Sequence, residues 1–68
     1  MNYTVEREQE KDGRWLAEIM ELPGVMAYGS TDDEAIAKVE ALALRVLAER
    51  IESGETQEQP FTVSFAAA

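Results

Sequence analysis

The chain has 68 residues, 14 acidic against six basic, a formal net charge of −8, and neither Cys nor His. A chain of this length buries only about 60% of its unfolded surface, so one thin-cored domain over residues 1–68 is expected, without a disulfide staple or the usual His and Cys metal ligands. The acidic balance argues against binding phosphate backbones directly, which takes Lys and Arg to release counterions, and it steers the chain towards a basic partner.

Residues 2–9, NYTVEREQ, alternate with Tyr3 and Val5 on one side and Thr4, Glu6 and Glu8 on the other, the period of a strand with one wet face. Asp12-Gly13 is expected to supply the positive φ angles of a tight hairpin turn. Residues 14–21, RWLAEIME, predict a second strand with Trp15, Ala17 and Ile19 on one face. Leu22-Pro23-Gly24-Val25 fits a type II turn, with Pro at the first central position and Gly at the left-handed second. Residues 25–29, VMAYG, predict a short third strand, which completes an antiparallel meander.

A helix follows at once. Thr31 can cap it, and Glu34 three residues later completes a capping box. Asp32, Asp33 and Glu34 lie where the helix dipole favours negative charge. Ala35, Ile36, Val39, Leu42, Ala43, Val46 and Leu47 recur at helical spacing, and Glu34 and Lys38 form an i,i+4 pair. The helix is expected to run to about Ser53, with Gly54 as its stop. After the polar connector ETQEQP, residues 61–65, FTVSF, predict a fourth strand with Phe61, Val63 and Phe65 on one side, and the final AAA is expected to fray.

These elements make an α+β fold in the order β-β-β-α-β, with one long helix on one face of the sheet. The helix returns the chain in the direction of the third strand, which is also that of the first. The last strand can therefore pair parallel to the first, giving the order 3-2-1-4. The N-terminus lacks a basic region followed by an apolar run, and the apolar stretches are too short to span a bilayer. A soluble, cytoplasmic protein with no membrane partner is expected.

Two surfaces point to association. A helix of about 22 residues is roughly 33 Å long, whereas a seven-residue strand covers about 23 Å. The last turns, around Leu44, Leu47, Ala48 and Ile51, should overhang the sheet and need cover. The second sheet face carries Leu16, Met20, Met26 and Tyr28 between acids, a patch of the kind that marks interfaces. Small domains without staples commonly gain stability by associating, so a dimer or tetramer is expected.

Residues 13–44 resemble the HicB antitoxin family. The resemblance rests on Trp15 in the second strand, Ala17 two positions on, the Glu21-Leu22-Pro23-Gly24 turn, Gly29 closing the third strand, the Thr31 cap and the Glu34-Ala35 helix start. With the Tyr3-Thr4-Val5 and Phe61-Thr62-Val63 segments it covers nearly the whole chain. Met20 stands where the family often has Pro, and Val25 where it often has Cys. The resemblance implies a partial ribonuclease H-like fold and a bacterial toxin–antitoxin system, in which this domain binds and blocks HicA, a small basic ribonuclease. Many members add a C-terminal DNA-binding module. None is expected in a chain that ends at Ala68, and transcriptional repression is not carried over. The alternative reading is a stand-alone homo-oligomeric adaptor with no toxin.

The residues do not assemble a reaction. A carboxylate nuclease of the ribonuclease H type needs three or four acids converging on two magnesium ions. Here Asp32 and Asp33 are explained as helix-start residues, and Glu6, Glu8 and Glu10 as solvated strand charge, with Glu18 the one acid able to join them across the hairpin. No nucleophile stands beside a base, and Gly24 and Gly29 lack the spacing of a phosphate loop. Arg7, Arg14, Arg45 and Arg50 are too dispersed for a nucleic-acid stripe. No catalytic residue, metal or cofactor is assigned.

Overall fold

The computed structural model describes residues 1–55 and 60–68, so the middle of the polar connector lies outside the described residues. The elements are β1 (Asn2–Gln9), β2 (Trp15–Ile19), β3 (Met26–Gly29), α1 (Asp32–Glu52) and β4 (Ser64–Ala67). They form one four-stranded sheet in the order β3-β2-β1-β4. β1 runs antiparallel to β2 and parallel to β4, and β2 runs antiparallel to β3. The α+β class, the strand order and the parallel β1–β4 pair are those the sequence predicts.

The hairpin between β1 and β2 departs from expectation. Gly13 alone has a positive φ, at +94°, and Asp12 does not. Gly13 N–H donates to Glu10 O, and Glu10 N–H donates to Arg14 O at 2.7 Å. These bonds define a three-residue loop that ends in a left-handed glycine. Asp12 serves through its side chain, accepting from Arg14 N–H at 3.1 Å and from Arg14 Nε at 2.8 Å.

The Pro23-Gly24 reversal is as read. Val25 N–H donates to Leu22 O at 3.0 Å, and Gly24 takes φ +85°. It is tied down from an unforeseen quarter. Met20 N–H donates to Thr4 O, but the return bond of that ladder step goes to a side chain. Thr4 N–H donates to Glu21 Oε1, and Thr4 Oγ1 donates to Glu21 Oε2, both at 2.7 Å. The carboxylate thus continues the β1–β2 pairing after β2 has ended. Hydrogen bonding from the Thr4 N–H, then from its hydroxyl, holds the Glu21 carboxyl below its ordinary value.

β3 passes to α1 with almost no linker, and Gly29 makes this possible. A Cβ there would stand 2.5 Å from Ala35 N and 3.0 Å from Ala35 Cα. The first helical turn therefore rests directly on the strand, and Ala35 is fully buried. Thr31 Oγ1 accepts from Glu34 N–H at 3.1 Å, as a cap should. The other half of the capping box goes elsewhere: Glu34 accepts from Ser30 Oγ at 2.9 Å and pairs with Lys38 at 2.9 Å. Arg7, on the helix side of β1, reaches Asp32 at 2.9 Å and links the strand to the helix start. At the far end Gly54 N–H donates to Ile51 O and Glu55 N–H to Arg50 O, which satisfies the last carbonyls around a left-handed glycine.

The core lies between α1 and the sheet. It consists of Val5, Ala17, Ile19, Leu22, Val25, Ala35, Val39 and Ala43, with Tyr3, Trp15, Ala27, Ile36, Leu42, Val46 and Phe65 packed around it. The helix sits over β3 and β2, with β1 at its margin and β4 beyond it. Its 21 residues span about 31 Å at 1.5 Å per residue, and the molecule measures 41 Å along its longest axis.

The fourth strand is displaced from expectation. Ser64–Ala67 pairs with β1, and Ala66 and Ala67 lie opposite Thr4 and Val5. Phe61 to Val63 precede the strand, and two of the terminal alanines expected to fray form half of it. Placing a parallel strand depends on where a long crossover sets the chain down, and no turn signal encodes that position.

Candidate interaction surface

Strand alternation sends every second residue of the sheet away from the helix, and the register aligns these residues in rows. Tyr28 lies opposite Leu16, and Leu16 opposite Glu8. In the next row Met26 lies opposite Glu18, and Glu18 opposite Glu6. Met20 follows one residue past β2, bonded to Thr4, whose other neighbour is Ala66. An apolar band on β3 and β2 thus meets an acidic ladder along β1.

The sequence-predicted interface residues fall into three groups. Met20, Met26 and Tyr28 are 49, 42 and 42% exposed, and Leu16 between them is half-buried. On the helix, Leu44 and Ile51 are exposed. Leu47 is a correction: at 3% exposure it belongs to the buried stripe, one turn beyond Ala43. Its four-residue spacing from Ala43 and Val39 signals that placement. The sheet-face and helix residues do not form one surface, because the sheet separates them.

The electrostatics of the sheet face are lopsided. Glu6 and Glu18 are direct cross-strand partners, and like charges so placed destabilise a sheet. Arg14, which stacks 4.5 Å above the Tyr28 ring, is committed to Asp12 at 2.8 Å. Among the described residues Glu6, Glu8 and Glu18 have no ion-pair partner. Reading Glu6 and Glu8 from strand alternation finds two of these acids. The Glu6–Glu18 apposition needs the hairpin register as well, and a three-residue loop sets that register.

Among the described residues, no group of three His, Cys, Asp or Glu side chains is placed to hold a metal ion, and no helix is long and apolar enough to cross a membrane. On this face exposed apolar side chains thus stand beside carboxylates that have no ion-pair partner among the described residues. No family model matches the chain, and neither curated proteins nor solved structures give a significant match.

Proposed function

We propose that the protein is an interaction module, a HicB-like antitoxin domain that binds and neutralises a small basic ribonuclease through the open face of its sheet. The observation that carries this reading is the Glu6–Glu18 pair set beside exposed Met20, Met26 and Tyr28. Two carboxylates apposed across a hairpin cost stability, and a cation from a partner turns that cost into binding energy. Met, Tyr and Leu next to them supply apolar contact of the kind that centres protein interfaces. The complementarity would speed encounter and orient the partner. Binding, not catalysis, is the activity.

The test begins in the genome, where a neighbouring reading frame should encode a small basic protein. Co-expressed with it, the chain should form a complex that suppresses its ribonuclease activity. Reversing Glu6 and Glu18 to Lys should abolish both effects, and added salt should weaken the complex. A basic neighbour that binds the double reversal as well as the native chain would refute the surface. Failure of every neighbouring product to bind would refute the antitoxin reading and favour an adaptor that assembles with itself, a reading to which exposed Leu44 and Ile51 lend support.

A further inference from the structure

We infer that β4 is a self-pairing edge, at which a second copy of this chain adds its own β4 antiparallel to build an eight-stranded sheet. This does not rest on the toxin reading.

The backbone points to the edge. Ser64 N–H donates to Met1 O, and Ala68 N–H donates to Val5 O. Backbone polar groups alternate sides along a strand, so Ser64, Ala66 and Ala68 face β1. Phe65 and Ala67 direct their N–H and C=O groups outward, with no partner among the described residues. Sheet edges are normally guarded by charge, proline, a bulge or a covering element. Ser64–Ala67 has no charged or proline residue, and the helix lies on the other half of the sheet.

Charge selects a copy of the same chain as the occupant. Each molecule carries −8, so two meet at least cost where they do not oppose carboxylates. The open sheet face fails that condition, since self-contact there sets Glu6, Glu8 and Glu18 against their equivalents. β3 is also uncharged, but it lies beneath α1, which carries acidic residues such as Glu34 and Glu40 on that side of the sheet. From Pro60 to Ala68 there is no charged side chain at all.

Side-chain size sets the register. With Ala66 opposite Ala66 of the second copy, Phe65 and Ala67 exchange two pairs of backbone bonds across the two-fold axis. The central pair is then of the non-hydrogen-bonded kind, with Cα atoms about 4.5 Å apart, where a small residue fits best. On the helix side Phe65, which packs with Tyr3 at a ring separation of 5.8 Å, lies beside the second copy's small Ala67. Both helices stand on one face, and the aromatic rings line the trough between them. The acidic faces of both copies join on the other side.

The test is mass and cross-linking of the full chain. Sedimentation equilibrium should give twice 7.6 kDa, falling on dilution and strengthened by salt as the like charges are screened. Ala67→Pro removes an outward donor from each copy and should weaken association by about tenfold or more. Ala66→Lys, which keeps the backbone intact, should do the same should the proline variant fail to fold. The protein has no Cys, so Ala66→Cys should oxidise to a covalent dimer, its Cα separation falling within the range a disulfide spans, while Ser64→Cys should not. A monomer at the highest soluble concentration, a dimer mass unchanged by Ala67→Pro and Ala66→Lys, or equal cross-linking at positions 64 and 66 would overturn the inference.

Discussion

The two faces of the sheet come from the same strands and obey opposite rules. Towards the helix, Val5, Ala17 and Ile19 are buried, and the one charged strand residue on that side, Arg7, is led out to Asp32 at the helix start. One residue along on each strand, the other face presents Glu6, Glu18 and Met20, with two carboxylates directly apposed. The first face is arranged for a covering element that the chain itself provides. The second carries two apposed carboxylates that have no ion-pair partner among the described residues. A single step along a strand therefore separates residues that hold the fold together from residues that oppose it mildly.

That contrast can be broken from the core side first. Ile19→Ala should cost about 2–5 kcal/mol through lost burial and the cavity left behind. A domain of this size has roughly 3–10 kcal/mol in total, so a urea melt should show a transition near collapse. Next is Gly29→Ala, whose Cβ would meet the Ala35 backbone at 2.5 Å. Overpacking of this kind costs about 1–3 kcal/mol, and the midpoint of denaturation should fall accordingly. An unchanged midpoint would show that the helix need not rest directly on β3.

On the open face the sign reverses. Glu18→Lys replaces a repelling cross-strand pair by an attracting one and should stabilise the fold by about 0.2–1 kcal/mol, read as a higher melting temperature, while partner binding is lost. Met26→Ser, removing exposed apolar surface on the same face, should stay within about 0.5 kcal/mol of the native stability. A large loss from it would mean that the face is already packed in the free protein.

The smallest effect lies at the junction of the two faces. The Glu21 carboxyl is held below its ordinary value of 4.5 by the Thr4 N–H and then its hydroxyl. Its stabilisation is whole above pH 4.5 and disappears as the pH falls through the lowered value. Glu21→Gln should flatten that part of the acid limb in a pH series of thermal melts. Some of the slope will persist, because the Lys38 ammonium and then Ser30 lower the Glu34 carboxyl, and the Arg14 N–H lowers that of Asp12.

Much of this was legible in local pattern. Period-two alternation marked β1 and β2, and helical spacing marked the stripe from Ala35 to Leu47. Thr31, Gly24 and Gly54 each act where residue chemistry permits little else. Less legible were features that join distant parts of the chain. The bond from Glu21 to Thr4 spans 17 positions, and that from Arg7 to Asp32 spans 25. Alternation alone places Met20, Met26 and Tyr28 on the open face, where they are exposed. Leu47 shows the limit of helix length as a signal, since its four-residue spacing from Ala43 places it in the buried stripe instead.

The sequence by itself determined the first three strands and the helix, the reversal at Pro23-Gly24, the abrupt helix start and the strand order, because turns, caps and periodicity act over a few residues. Tertiary structure alone decided where β4 landed along β1 and how far the helix lies to the β3 side. Those outcomes depend on how the separate pieces pack and in what register, and no short stretch of the chain carries that information.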